Sequence, residues 1–132
     1  MDYATLPTPP TCVADFCLNP IGTATASIAN EVAAVQCLMK ASGLSYSMHS
    51  AGTTVEGPWE SVTRLIGQAH TLVHRNGVVR IQTDMRIGTR TDKEEHFAEK
   101  VTKVESILTE RGHDAGGGDQ AEEDKVKLQR PV

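Results

Sequence analysis

The chain has 132 residues, a formal net charge of −4 and only 4% aromatic residues. That length supplies one domain with a single core. Mild acidity leaves no electrostatic footprint for nucleic acid or an anionic membrane, and the few aromatics (Tyr3, Phe16, Tyr46, Trp59 and Phe97) cannot pave a sheet for base stacking.

No apolar run approaches the length of a membrane span. Residues 1–10 lack the basic and apolar regions of a secretory leader, so export is not expected. Cys12, Cys17 and Cys37 are odd in number and form no C-x-x-C pair, which reads as reduced thiols in a cytoplasmic protein.

Residues 1–10 hold three prolines and little to bury, and read as a flexible N-terminal segment. Cys12–Pro20 then alternates, with Ala14, Phe16 and Leu18 on one face and Val13, Asp15, Cys17 and Asn19 on the other. This is a first strand closed by Pro20. A loop carries Gly22-Thr23. Ser27 is placed to cap a first helix, in which Ile28, Val32, Val35 and Met39 share a face and after which Gly43 stops the chain.

Leu44–Ala51 alternates again, with Tyr46 and Met48 facing one way and Ser47 and His49 the other. Gly52 marks a turn or bulge, and Thr53–Glu56 reads as a short returning strand. Gly57-Pro58 opens a second helix, with proline expected at its first helical position. Trp59, Val62, Ile66, Ala69 and Val73 form the face to be buried, widened by Leu65 and Leu72, and Asn76-Gly77 ends the helix.

The stretch Gly77–Asp92 carries the longest alternation. Val79, Ile81, Met85 and Ile87 are expected in the core, and Arg80, Gln82, Asp84 and Arg86 on a polar face. Thr91 and Glu94 are spaced as a capping box for a third helix, whose Phe97, Val101, Val104, Ile107 and Leu108 make a narrow stripe ending at Gly112. That stripe fits either the edge of its own domain or a second copy. Residues 113–132 are rich in glycine and charge and read as a disordered tail.

The order β-α-β-β-α-β plus a helix predicts an α+β fold over residues 11–112. It is a ferredoxin-like two-layer sandwich with an antiparallel sheet, the last strand beside the first, and an additional C-terminal helix. Helices cover one face only. The other face carries Asp15, Cys17, Asn19, Ser47, His49, Arg80, Gln82, Asp84 and Arg86, with no lysine. Arginine forks and short acceptors suit fixed hydrogen bonds, so this face reads as a polar floor covered by a partner subunit or a ligand, as against a merely solvated sheet. Asp15 and Asp84 on neighbouring strands favour a cationic or amine-bearing guest, or pairing with Arg80 and Arg86.

Two further arrangements are weaker. His70 and His74 have metal-chelating i, i+4 spacing but no third ligand, so no metal is expected. Cys17 with His49 on a nearby strand is a conceivable thiol–imidazole pair, but there is no nucleophile elbow and no phosphate-binding glycine loop. No catalytic residues are therefore assigned.

Three motifs in order resemble the small thiamine-binding protein family. They are Pro20-Ile21-Gly22-Thr23, then Gly52-Thr53-Thr54-Val55-Glu56-Gly57 followed by Trp59, then Arg80, Thr83-Asp84 and the run Arg86-Ile87-Gly88-Thr89-Arg90-Thr91-Asp92. The resemblance spans about Thr11 to Arg111. It implies a ferredoxin-like domain that forms homodimers or homotetramers through its sheets, binds thiamine or its hydroxymethylpyrimidine portion near a subunit interface, and is no enzyme. Strand parity then nominates Asp15 and Asp84 as acceptors, with Asn19, His49, Thr53 and Gln82 completing a ligand set on the open face. The expected role is a carrier, buffer or sensor needing no cofactor, with itself and a small molecule as partners and no nucleic acid or membrane. The alternatives are a structural or regulatory homo-oligomer without a vitamin ligand and, less favoured, an enzyme using the interface pocket.

Overall fold

The computed structural model describes residues 1–94 and 96–114. They fall into two compact units, with the division after Glu94.

The first unit contains β1 (Thr11–Ile21), α1 (Ala29–Ser42), β2 (Ser45–His49), β3 (Gly52–Pro58), α2 (Trp59–Arg75) and β4 (Arg80–Gly88). The strands form one antiparallel sheet in the order β2-β3-β1-β4, so the last strand does lie beside the first. Alternation along β1 sets the two faces. Ala14, Phe16 and Leu18 are buried with Val55 of β3, and both helices of the unit pack there through Val35, Met39, Val62, Leu65, Ile66, Ala69 and Val73. This is the expected βαββαβ sandwich with a further helix at its C-terminal end.

Local chemistry fixes the corners. Gly43 ends α1 at φ 74°, the left-handed conformation that glycine adopts without steric cost. Gly52 starts β3 against the carbonyl of Phe16, where a Cβ would stand 2.5 Å from the oxygen, so only a residue without a side chain fits. Ser27 lies one residue outside the α1 cap, at Ile28, but its hydroxyl accepts the Ala29 N–H at 3.3 Å.

Several expected boundaries shift. Pro58 is the cap of α2, with extended ψ 137°, and Trp59 is its first helical residue. Pro20 does not close β1, which continues to Ile21. From Cys17 onward β1 pairs with β4 alone, the edge setting in which a strand tolerates proline. Val79 precedes β4 and is 91% exposed, while Val78 packs on the core in its place. Met85 keeps core-side parity but remains 46% exposed, because β4 is an edge strand with no neighbour beyond it.

Residues 1–10 are exposed throughout, yet they contain a 3-10 turn at Tyr3–Thr5 and are tied to the start of α2. The Thr8 hydroxyl donates to Glu60 at 2.8 Å, and the Trp59 N–H donates to the Pro10 carbonyl at 3.2 Å.

The second unit, described by itself, is α3 (Phe97–Asp114). The expected Thr91–Glu94 box does not cap it. Glu99 takes that role, its carboxylate accepting the His96 N–H at 3.4 Å. The helix also runs past Gly112. Val101, Val104, Ile107 and Leu108 are exposed. Of the expected disordered tail, residues 115–132 lie outside the described residues.

Candidate functional site

Polar side chains gather in two places on the first unit, one on the open sheet face and one on the helix side. On the open face, register sets Asp15 between Thr54 and Arg86, Cys17 opposite Asp84, and Asn19 opposite Gln82. Asp15 and Asp84 are therefore diagonal neighbours on one surface.

Asp15 Oδ1 is shared. His49 Nε2 lies 2.6 Å away and the Thr54 hydroxyl donates at 3.3 Å. The other imidazole nitrogen decides the tautomer. Nδ1 accepts the backbone N–H of Ala51 at 3.2 Å, and an amide N–H can only donate. Nδ1 is therefore bare, and Nε2–H donates to Asp15. The Cys17 thiol donates to Asn19 Oδ1 at 3.4 Å. Cys17 and His49 are each held by other partners, so the conceivable nucleophile pair lacks the thiol–imidazole hydrogen bond that activation needs.

The second place is a cleft. Its volume is about 130 Å³, and it lies where β3 begins, beyond which the second half of β1 has no neighbour on that side. The N-terminal half of α1 and the turn from His49 to Gly52 close it. Phe16, Leu18, Ile28, Val32 and Val35 give it apolar walls. Its polar lining includes Gln36 and Thr53, joined by a 2.9 Å hydrogen bond from Gln36 Nε2 to Thr53 Oγ1. Glu31 is the only fully charged residue among those that line it. His49 borders the cleft as well, so one imidazole connects cleft and open face.

Of the six residues nominated from sequence, Asp15, Asn19, His49, Gln82 and Asp84 share the open face. Thr53 does not join them. It is buried on the helix side, with the parity of Val55, and its hydroxyl belongs to the cleft. Gln36 and Glu31 escaped the sequence reading. Gln36 had a signal: Val32, Val35, Gln36 and Met39 stand at i, i+3, i+4 and i+7, so a polar residue interrupts an apolar helical stripe.

His70 and His74 serve structure separately. His70 Nε2 lies 2.6 Å from the Thr83 hydroxyl, and His74 Nδ1–H donates to the Val78 carbonyl at 2.8 Å. Among the described residues, no three His, Cys, Asp or Glu side chains are grouped to hold a metal ion. All three cysteines are free, and burial pushes the Cys12 thiol above its ordinary value. In the turn after β4 the Arg90 guanidinium forks onto both Asp92 oxygens and holds that carboxyl down at about 2. No described helix is long and apolar enough to cross a membrane.

The profile of a family described as Thiamine-binding protein matches residues 14–105. The chain belongs to that family. The match takes in every residue that lines the cleft, and the open-face residues from Asp15 to Arg86. Among relatives, a UPF0045 protein of Eremothecium gossypii is 46% identical over 96 residues, 73% of this chain and 91% of its own length. A UPF0045 protein of Synechocystis is 40% identical, covering 73% of this chain and 78% of itself.

Solved structures agree on the fold. A hypothetical protein of Methanocaldococcus jannascii superposes with a TM-score of 0.64 at 25% identity, over 72% of this chain and 96% of its own. A Thermotoga maritima protein, provisionally assigned to thiamine biosynthesis or salvage, reaches 0.63 at 17% identity over 72% of this chain and 99% of its own. That likeness carries the fold alone. The family is named for binding, not for a reaction.

Proposed function

We propose that this protein binds thiamine or a related pyrimidine without transforming it, as a carrier, buffer or sensor, and that the guest occupies the cleft beside α1. The observation that carries the reading is the cleft itself: a small concavity with apolar walls, hydrogen-bonding side chains that include Gln36, His49 and Thr53, and one carboxylate, in a chain of the thiamine-binding family. Apolar walls take the faces of a flat ring, and Glu31 suits a cationic substituent at the mouth.

In this reading His49 and Thr53 of the nominated set touch the guest, and Asp15 positions His49 from behind. Asn19, Gln82 and Asp84 belong to the polar face that a second copy covers, forming the homodimer or homotetramer. The three free thiols suit a cytoplasmic setting. No group on either face is arranged as an activated nucleophile, which favours a binder over an enzyme.

Calorimetric titration with thiamine tests the reading. Saturable heat, together with a rise in thermal midpoint at millimolar ligand, is expected. Absence of both would remove the vitamin and leave an assembly module held together by its polar face. Sedimentation of the same sample reports the assembly state, which should exceed the monomer.

A further inference from the structure

We propose that His49 is a proton-sensitive hinge between the sheet and the cleft. A proton taken up at Nδ1 frees the turn from His49 to Gly52, while the ring stays anchored to Asp15. The hinge itself needs no guest; its effect on a guest rests on the cleft reading above.

The imidazole is held from two sides. Nε2–H donates to Asp15 Oδ1 at 2.6 Å, and Nδ1 accepts the Ala51 N–H at 3.2 Å. Gly52 closes on the ring as well, since a Cβ there would stand 3.4 Å from Cε1. A proton on Nδ1 changes the two sides in opposite directions. The Asp15 contact becomes a charge-assisted hydrogen bond and strengthens. The Ala51 contact is lost, because the new N–H faces an amide that can only donate. Turning the ring over does not restore it. A half-turn about Cβ–Cγ puts Cδ2 where Nδ1 stood and Cε1 where Nε2 stood, which breaks the Asp15 contact too. The turn is therefore the part that gives way.

The position of the turn makes its release matter. His49, Ser50, Ala51 and Gly52 all line the cleft. Moving them moves one cleft wall and leaves the sheet in place. A closed turn needs a bare Nδ1, so the closed cleft binds this proton less tightly than the open one. By linkage, acid opens the cleft, and a guest that holds the turn closed expels the proton. Imidazole is the side chain that ordinarily changes charge between about pH 5 and 8.

Charged groups reach this ring from several elements. On β1, Asp15 favours the added proton, and Cys17 lies two residues further on. On β4, Arg86 stands opposite Asp15 and works against the proton, with Asp84 diagonal to Asp15. On α1, Glu31 lines the same cleft. On β3, the Thr54 hydroxyl shares Asp15 Oδ1, and Glu56 stands opposite Ser45 at the far end of β2.

Nitrogen-15 NMR of the full chain without ligand, from about pH 8 to about pH 5.5, tests the hinge. At the alkaline end His49 should be the Nε2–H tautomer. On acidification its ring nitrogens and the Ala51 amide should titrate with one midpoint, the amide proton moving upfield as its hydrogen bond is lost. In His49→Gln the Ala51 amide should no longer titrate. Asp15→Asn keeps an acceptor for Nε2–H and removes the charge, so it should lower the midpoint while ring and amide still move together. Saturating thiamine should weaken proton binding about fivefold, the effect of one hydrogen bond, and so lower the midpoint of the wild type. An Nδ1–H tautomer at the alkaline end, or a ring that titrates while the Ala51 amide stays fixed, would overturn the hinge. A midpoint unmoved by bound thiamine would overturn its coupling to the guest. Thiamine that does not bind would remove the vitamin and leave the hinge standing on the ligand-free titration.

Discussion

The two helices of the first unit each carry apolar residues on the sheet side but bury them to different extents. Along α2, Val62, Leu65, Ile66, Ala69 and Val73 are buried from the first turn to the last. Along α1 only Val35 and Met39 are buried, while Val32 is 37% exposed and lines the cleft with Ile28. The cause lies under the helices. β1 has neighbours on both sides up to Phe16 and β4 alone afterwards. Without β3 beneath it, the front half of α1 roofs a notch. An apolar stripe thus encodes a face that leaves water, and the neighbouring strand's length decides whether protein or a guest fills the space.

The comparison can be broken most sharply by truncating side chains on each helix. Leu65→Ala and Met39→Ala each remove a buried side chain and should cost about 2–5 kcal/mol in chemical denaturation. Val32→Ala, over the cleft, should stay within about 0.5 kcal/mol and weaken ligand binding instead. A large loss of stability in Val32→Ala would mean that the front of α1 is core after all.

Gly52→Ala tests the corner where β3 begins. The new Cβ would press on the Phe16 carbonyl, so about 1–3 kcal/mol of destabilisation is expected, with an unchanged denaturant slope.

A smaller effect is expected at the cleft mouth. Glu31→Gln should weaken the binding of cationic thiamine by about 0.2–1 kcal/mol, the range for a partly exposed charge pair, and leave the neutral hydroxymethylpyrimidine nearly unaffected. Equal losses for both ligands would argue against a charge role for Glu31.

The smallest effect concerns pH. Burial raises the Cys12 thiol above 9.0, so the fold favours its protonated form. That contribution is complete below 9.0 and declines as pH rises through the folded value. Thermal midpoints should fall on the alkaline side, and Cys12→Ala should flatten that decline. Asp92 works in the opposite direction. Its carboxyl is held at about 2, so its contribution is present above the ordinary carboxylate range and lost as pH falls toward 2.

Much of the fold was legible in the sequence, because burial on one side of a strand or helix writes its period directly. Ala14, Phe16 and Leu18 are buried at alternate positions of β1, and β4 keeps the parity read from Arg80 to Arg86. Parity specified which side a residue faced but not how far the cover extended. Met85 has the correct side and stays exposed at an edge, and Val79 has the correct pattern but lies ahead of the strand.

The site was less legible. The open-face set followed from alternation, but Thr53 needed the register of β3, and the Gln36–Thr53 hydrogen bond joins residues 17 positions apart on different elements. The His49 tautomer depended on the fold of the turn to Ala51, which no spacing rule specifies.

Backbone chemical shifts followed during thiamine titration test the central claim most directly. The account predicts the largest changes at Val32, Gln36, Ala51 and Thr53, around the cleft. Changes confined to Gln82, Asp84 and Arg86, or none at saturating ligand, would contradict it.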